Sequence, residues 1–237
     1  MTTDLVYGRR AVREALRGRR QVVELWASER ALDSEPWLRD GPRVQLKPER
    51  DLSQAAGTRD HQGVVAWAEP YRYADAWELA SEERPLLVCL DQVSDPRNLG
   101  AVCRSAEGAG ATGVVLPAHG SATVTPAVAR SSAGAVEHLA VAVVPNLARY
   151  LQEIKRDDLW IYGAAGDAAE TLWQSDLSSG VVFVLGAEGR GLRPLVRRRC
   201  DVLVSIPLAG HVASLNVSAA AAVFLFEAKR QRSAARA

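Results

Sequence analysis

The sequence at residues 181–191 is VVFVLGAEGRG, and this stretch decides the fold class. Its first five residues form a continuous apolar run of the kind that is buried in a parallel sheet. Further apolar runs lie on both sides, at residues 86–90, 114–116, 139–144, 159–162 and 202–206. Helical patterns separate them at residues 99–109, 126–133, 147–155 and 215–230. This alternation predicts an α/β fold with a doubly wound, mostly parallel sheet.

The chain changes character near residues 71–85, where aromatic residues and a charged run, SEERP, replace the alternating pattern. Before this stretch we expect a helix at residues 8–16 and strands at residues 22–26, 44–46 and 64–67. The sequence therefore predicts a small N-terminal α/β domain at residues 1–70, a linker at residues 71–85 and a larger domain at residues 86–237.

Composition excludes several classes of protein. No apolar run reaches the roughly eighteen residues of a membrane span, and the first residues lack the basic start and apolar core of a signal peptide. The three cysteines are widely spaced, and no histidine lies near another histidine or a cysteine. We expect a cytoplasmic protein with no structural metal and no membrane contact.

Positive charge is concentrated at the two ends of the chain. Residues 1–20 hold six arginines against two acidic residues, and residues 190–237 hold nine basic residues against two acidic ones, although the formal net charge is only +1. The two ends could form one basic face if they meet in space. Two solvated helix faces are the alternative, and charge alone favours that alternative.

The first segment that could carry chemistry is residues 90–104, LDQVSDPRNLGAVCR. It leaves a buried strand, turns at Asp95-Pro96 and starts a helix near Asn98. Ligands bind at strand ends in sheets of this kind. On local grounds alone, however, Asn98 would be a helix N-cap and Arg104 a surface cation.

The second segment is the glycine-rich loop at residues 185–192, with the spacing G-x-x-G-x-G. This spacing is not the dinucleotide-binding pattern, and no acidic residue stands at the expected distance after it, which argues against a dinucleotide-dependent oxidoreductase. Glu188 also argues against a bound pyrophosphate, because a carboxylate repels phosphate.

The third segment, residues 206–218, is IPLAGHVASLNVS. It follows a strand and leads into the last helix. Ser214 or Asn216 could cap that helix, and His211 has the position of an ordinary surface histidine.

Together the three segments resemble, in order and placement, the three motifs of the SpoU/TrmH family of RNA ribose methyltransferases within the SPOUT superfamily. Residues 6–16 (VYGRRAVREAL), 60–66 (DHQGVVA) and 132–135 (SAGA) are also similar to the branch that modifies bacterial 23S ribosomal RNA. The resemblance covers nearly the whole chain.

The resemblance implies a C-terminal SPOUT domain with a deep trefoil knot and an N-terminal substrate-binding domain similar to a ribosomal-protein RNA-binding fold. It also implies a homodimer that transfers a methyl group from S-adenosyl-L-methionine to a ribose 2′-hydroxyl of structured RNA, most simply a guanosine of 23S rRNA. The implied cofactor contacts are Gly186, Ile206 and Leu215. The implied catalytic site is Arg104 with Asn98, Glu188, Ser214 and Asn216. The implied RNA contacts are Arg9, Arg10 and Arg13.

The sequence leaves three questions open. Arg104 could act as the base, which a guanidinium rarely does, or it could orient the hydroxyl and its phosphate while solvent takes the proton. The substrate could be transfer RNA, or the chain could be a resistance methyltransferase of the same family. A non-catalytic RNA-binding protein is the alternative from another class, and the intact set of site residues argues against it.

Overall fold

The computed structural model describes residues 2–39 and 43–234, and its contacts divide the chain into two compact units. Unit 1 comprises Met1–Arg72 and Val124–His138. Unit 2 comprises Tyr73–Thr123 and Leu139–Ala237.

Unit 1 contains a four-stranded sheet in the order β1-β4-β2-β3. Only β2 and β3 run parallel, because β4 is antiparallel to both β1 and β2. The strands are β1 (Asp4–Tyr7), β2 (Val22–Ala27), β3 (Val44–Leu46) and β4 (Val64–Ala68). The helices, numbered in chain order, are α1 (Arg9–Arg17), α2 (Glu29–Ser34), α3 (Glu49–Ala56) and α6 (Pro126–Ser131).

The core of unit 1 follows from the sequence pattern. In α1 the apolar side chains Val12 and Ala15 are buried, while Arg10 and Arg13 are exposed on the other side. Strand β4, with the sequence VVAWA, is almost entirely buried because it lies between two other strands. The strands predicted at residues 22–26, 44–46 and 64–67 are present, whereas β1 was not predicted.

Unit 2 contains a seven-stranded sheet in the order β7-β6-β5-β10-β8-β11-β9. Its strands are β5 (Leu86–Asp91), β6 (Gly113–Pro117), β7 (Ala140–Val144), β8 (Leu159–Ala164), β9 (Glu170–Thr171), β10 (Gly180–Gly186) and β11 (Val202–Ser205). Its helices are α4 (Ala76–Ser81), α5 (Pro96–Ala109), α7 (Leu147–Glu153), α8 (Pro194–Arg197) and α9 (Val217–Ala234).

The pairings described for this sheet are all parallel, which confirms the predicted α/β class. Strand β10, which carries the deciding apolar run, lies between β5 and β8 and is buried from Gly180 to Leu185. Because all strands run in one direction, the carboxyl ends of β5, β8, β10 and β11 meet at the same edge, where ligands bind in such sheets.

The units differ from the domain bounds expected from the sequence at two places. The expected linker at residues 71–85 contains α4, which Asp75 caps by accepting hydrogen bonds from the Trp77 and Glu78 amides. The buried side chains of α4, Leu79 among them, pack into the core of unit 2. The domain bounds 1–70 and 86–237 therefore stay a proposal.

Residues 124–138 were expected in the C-terminal domain, but they group with unit 1. Their strongest link is the ion pair between Glu137 and Arg20, whose side chains are 1% and 8% exposed. Arg20 Nε donates to Glu137 Oε2 over 3.0 Å. The two residues lie 117 positions apart in sequence, and no local pattern indicates such a pairing.

Within the described ranges, none of the helices is long and apolar enough to cross a membrane.

Candidate active site

The site begins where β5 ends, at Asp91. This carboxylate is 1% exposed and accepts two hydrogen bonds from Arg193, one from the backbone amide over 2.8 Å and one from Nε over 2.7 Å. The Ala187 amide donates to the Asp91 carbonyl over 3.1 Å. Asp91 therefore ties both ends of the loop at residues 187–193 to the neighbouring strand. Neither Asp91 nor Arg193 was predicted as a site residue, and the only sequence signal was an aspartate ending an apolar run.

The glycine-rich loop closes tightly on itself. Gly191 donates its amide to the Ala187 carbonyl over 2.9 Å. A Cβ added to Gly186 would lie 2.1 Å from both the carbonyl carbon and the carbonyl oxygen of Gly191, so only glycine fits there. Gly189 and Gly191 have positive φ values of 74° and 63°, which glycine adopts without strain.

The loop brings Glu188 into a hydrogen-bonded cluster with two asparagines. Glu188 Oε1 accepts from Asn98 Nδ2 over 2.8 Å and from Asn216 Nδ2 over 2.6 Å. Asn216 Nδ2 also lies 3.0 Å from Asn98 Oδ1. Residues 28 to 118 positions apart thus meet in one cluster, which joins the three sequence motifs through one member of each.

The capping interpretations from the sequence need correction. Helix α5 begins at Pro96, and Asp95 caps it by accepting from the Arg97 amide, so Asn98 lies inside the helix and is not its N-cap. Helix α9 begins at Val217, three residues after Ser214, so Ser214 does not cap it. Asn216 does: its Oδ1 accepts from the Ser218 amide over 2.8 Å.

A cavity of about 630 Å³ lies beside this cluster, at the carboxyl ends of β8, β10 and β11. All three predicted cofactor contacts line it, as do Glu188, Ser214 and His211. The predicted contacts are Gly186, Ile206 and Leu215. Residues 206–216 form neither helix nor strand, and they leave Leu208, Val212 and Leu215 exposed by 39%, 74% and 39%. The walls thus combine apolar side chains and backbone groups with the polar side chains of Glu188, Ser214 and His211.

A second cavity, of about 440 Å³, adjoins the first. Its lining includes Gln92, Asp95 and Asn98, and it shares Ala187, Glu188 and Val217 with the first cavity. The Asn98–Glu188–Asn216 cluster therefore lies where the two cavities meet. Gln92 holds a positive φ of 62°, which is unusual for a residue with a side chain.

Arg104 stands apart from these groups. It is exposed on α5, two positions before the buried Ala106, and lines neither of the two cavities. It lies six positions after Asn98 in the helix, a rise of about 9 Å. Within the described ranges, its guanidinium has no hydrogen-bond or ion-pair partner. The structure thus brings together Asn98, Glu188 and Asn216 and places Ser214 on the cavity wall, but it does not bring Arg104 to them.

The three predicted RNA contacts all lie in unit 1 but differ in environment. Arg9 is half-buried, donating from Nε to the Gln62 carbonyl over 3.1 Å and from Nη1 to Glu35 over 3.1 Å. Arg10 and Arg13 are exposed on α1. Arg9 therefore supports the fold of unit 1, while Arg10 and Arg13 are available to a ligand.

The thiols near the site remain protonated. Burial raises the pKa of Cys103 to about 12, although it directly precedes Arg104. Burial also raises the pKa of Cys200 to about 12. Since the thiolate is the nucleophilic form, neither cysteine can act as a nucleophile at neutral pH.

Two protein families match this chain. The SpoU rRNA Methylase family matches residues 85–226, more than half of the chain. The family described as RNA 2′-O ribose methyltransferase substrate binding matches residues 5–74. The chain belongs to the SpoU rRNA methylase family. The resemblance inferred from the three motifs is thereby confirmed, and so is an N-terminal substrate-binding domain.

Curated relatives match along almost the full length. The 23S rRNA (guanosine-2′-O-)-methyltransferase RlmB of Pseudomonas syringae pv. tomato is 42% identical over 98% of this chain and 98% of its own. RlmB of Escherichia coli is 43% identical over 81% of each chain. Among solved structures, the SpoU methyltransferase AviRb from Streptomyces viridochromogenes, in complex with the cofactor AdoMet, has a TM-score of 0.82 and 27% identity, over 97% of this chain and 90% of its own.

Proposed function

We propose that this chain transfers a methyl group from S-adenosyl-L-methionine to the ribose 2′-hydroxyl of a guanosine in 23S rRNA. The observation that carries the proposal is the Asn98–Glu188–Asn216 cluster at the junction of two cavities, in a chain 42% identical to a named guanosine-2′-O-methyltransferase. A substrate in ribosomal RNA also agrees with the cytoplasmic location expected from the sequence.

The larger cavity fits the cofactor. An adenosine ligand without phosphates needs apolar walls and backbone hydrogen bonds, which Gly186, Ile206 and Leu215 supply. Its volume of about 630 Å³ lies within the range of small-molecule sites. When bound there, S-adenosyl-L-methionine supplies the reactive methyl group, and the protein supplies orientation. The deep knot implied by the family stays a prediction.

The smaller cavity is placed to receive the acceptor nucleotide, because the two reacting groups must be held in line. Glu188 and the two asparagine amides fix the wall that both cavities share. We assign Arg104 to orienting the ribose hydroxyl and its adjoining phosphate through its planar fork. Because a guanidinium keeps its proton under ordinary conditions, water takes the hydroxyl proton in this scheme.

This assignment requires a second copy of the chain, because Arg104 does not line the cavities of its own chain. The second copy could pack against the exposed faces of α5 and α9. Helix α9 presents Phe226, which is 48% exposed, together with the exposed Ala219, and Phe226 lies beside Gly108 of α5. Small side chains around one large apolar side chain allow two such surfaces to pack closely about a twofold axis. We therefore propose a homodimer.

A tRNA substrate is the main competitor. The tRNA-modifying TrmH/SpoU enzyme of A. aeolicus covers 68% of this chain with a TM-score of 0.59, whereas AviRb covers 97% with a TM-score of 0.82. The additional coverage favours an RNA target that needs the N-terminal unit.

The test is methylation of two transcripts, 23S rRNA and a tRNA pool, by purified protein with labelled S-adenosyl-L-methionine. We expect label in the 23S rRNA, resistant to alkaline hydrolysis at one guanosine. Label in tRNA alone would contradict the target, and binding without label in either RNA would favour the non-catalytic alternative.

A further inference from the structure

The DHQGVV stretch of unit 1 takes no part in the site described above, and the structure shows what it builds. His61 is 2% exposed, and its Nδ1 accepts from the Gly63 amide over 3.0 Å. This bond leaves Nε2 to donate to Ser53 Oγ over 2.9 Å. His61 thereby fixes a turn in which Gln62 and Gly63 have positive φ values of 55° and 77°.

Close packing and hydrogen bonds hold the backbone of this turn in place. A Cβ on Gly63 would lie 2.5 Å from Ser28 Oγ, so the residue must be glycine. Arg9 holds the Gln62 carbonyl from one side, and Arg130 Nε donates to the Asp60 carbonyl over 3.2 Å from another. The turn is therefore a preformed wall.

This wall encloses a cavity of about 330 Å³, lined by three arginines. One of them, Arg9, is neutralised by Glu35. The other two, Arg30 and Arg59, are exposed, and in the described part of the chain neither has a hydrogen-bond or ion-pair partner. Glu49, which is 62% exposed and lies 3.6 Å from His61 Nε2, is the acidic side chain of the lining. Two unpaired guanidinium groups outweigh this one carboxylate.

We infer that this cavity binds a phosphodiester group of the RNA substrate, with Arg30 and Arg59 as its ligands. A guanidinium fork matches two phosphate oxygens, and unpaired arginines around a rigid wall bind an anion without first breaking ion pairs. With this cavity, the predicted RNA-binding surface of unit 1 extends from Arg10 and Arg13 on α1 to Arg30 on α2 and Arg59 in the loop after α3. The inference rests on the proposed function, since it takes RNA as the ligand.

The test measures binding of the full chain to a 23S rRNA transcript over a salt series. Each phosphate contact contributes about 0.7 to 0.9 to the slope of log affinity against log salt. For Arg30→Ala/Arg59→Ala we expect the slope to fall by about 0.7 to 0.9, because the two arginines hold one phosphodiester group. We also expect KM for RNA to rise while kcat stays unchanged. The charge-matched control is Arg19→Ala/Arg43→Ala, which removes two exposed arginines of unit 1 that do not line the cavity.

A third variant, Glu49→Gln, has the opposite expected effect. It removes the one carboxylate among the described residues of the lining, so RNA should bind more tightly. The inference is overturned if the double variant keeps the slope of its control, or if Glu49→Gln leaves the affinity unchanged or weaker. Binding is measured without turnover, so a wild-type protein that fails to methylate 23S rRNA contradicts the proposed function while the cavity is still tested.

Discussion

Asn216 carries two functions in one side chain. Its Oδ1 caps α9 by accepting from the Ser218 amide, and its Nδ2 donates to Glu188 across the cluster. Both functions follow from the asparagine amide, which holds an acceptor and a donor on one planar group. From the sequence, capping and a site role were competing interpretations of Asn216, and the structure shows that it caps the helix and joins the cluster as well.

These two functions of Asn216 can be separated by substitution. Asn216→Ala should lower the free energy of unfolding by about 1 kcal/mol, because it removes the cap, and should also slow methylation. Asn216→Ser keeps a capping oxygen but cannot span the distance to Glu188, so it should slow methylation at nearly wild-type stability. Urea unfolding and single-turnover kinetics measure the two effects. Equal stability losses in both variants would show that the amide contact, and not the cap, supports the fold.

At the scale of elements, the loop after β10 holds the site together. It is anchored to β5 through Asp91 and Arg193, which are 102 positions apart, and it returns so closely that Gly186 touches Gly191. The anchor to β5 could not be predicted, because it joins two distant segments.

A substitution at Gly186 tests the close return of this loop. Gly186→Ala would place a methyl group 2.1 Å from the Gly191 carbonyl. We expect it to lower the free energy of unfolding by about 1–3 kcal/mol, as overpacking does, and to weaken cofactor binding. Gly210→Ala is the matched control, since its Cβ would meet nothing within 4 Å. Thermal unfolding and calorimetry with S-adenosyl-L-methionine measure both effects, and wild-type behaviour of Gly186→Ala would contradict the described loop.

How far the sequence predicts the elements depends on how local their signals are. The buried strands of unit 2 were predicted because continuous apolar runs such as VVFVL mark them. Helices α2, α3 and α4, which are six to eight residues long, were missed; α2 and α3 each bury a single side chain, so their sequences carry almost no apolar repeat. The grouping of residues 124–138 with unit 1 was missed because it depends on contacts between distant segments, the Arg20–Glu137 pair among them, and such contacts leave no periodic pattern.

At the scale of the whole molecule, the proposed dimer makes a clear prediction for α9. Phe226→Glu places a charge on the exposed apolar face, so the protein should sediment as a monomer at micromolar concentration and lose methylation. Trp173→Glu is the control, because Trp173 is similarly exposed, at 51%, but belongs to neither α5 nor α9. A monomeric wild type, or a Phe226→Glu protein that remains a dimer, would contradict this interface.

The site as a whole could be predicted only through the family resemblance. Asn98, Glu188 and Asn216 have ordinary local explanations, and only the fold brings them together from three distant segments. Arg104 lines neither cavity of its own chain, so its proposed role depends on the proposed dimer.

The measurement that tests the central claim most directly is single-turnover methyl transfer to a 23S rRNA transcript, with the product mapped to one nucleotide. We expect wild type to form one 2′-O-methylguanosine. Arg104→Ala should methylate more slowly by a factor on the order of hundreds or more, as for loss of a group that acts in the transition state. Its free energy of unfolding should change by less than about 0.5 kcal/mol, and it should still bind the cofactor and form the dimer. Arg104→Lys should be nearly as slow, since lysine lacks the fork, whereas Arg198→Ala, at another exposed arginine of unit 2, should match wild type. An Arg104→Ala protein that methylates the same guanosine at the wild-type rate would contradict the account.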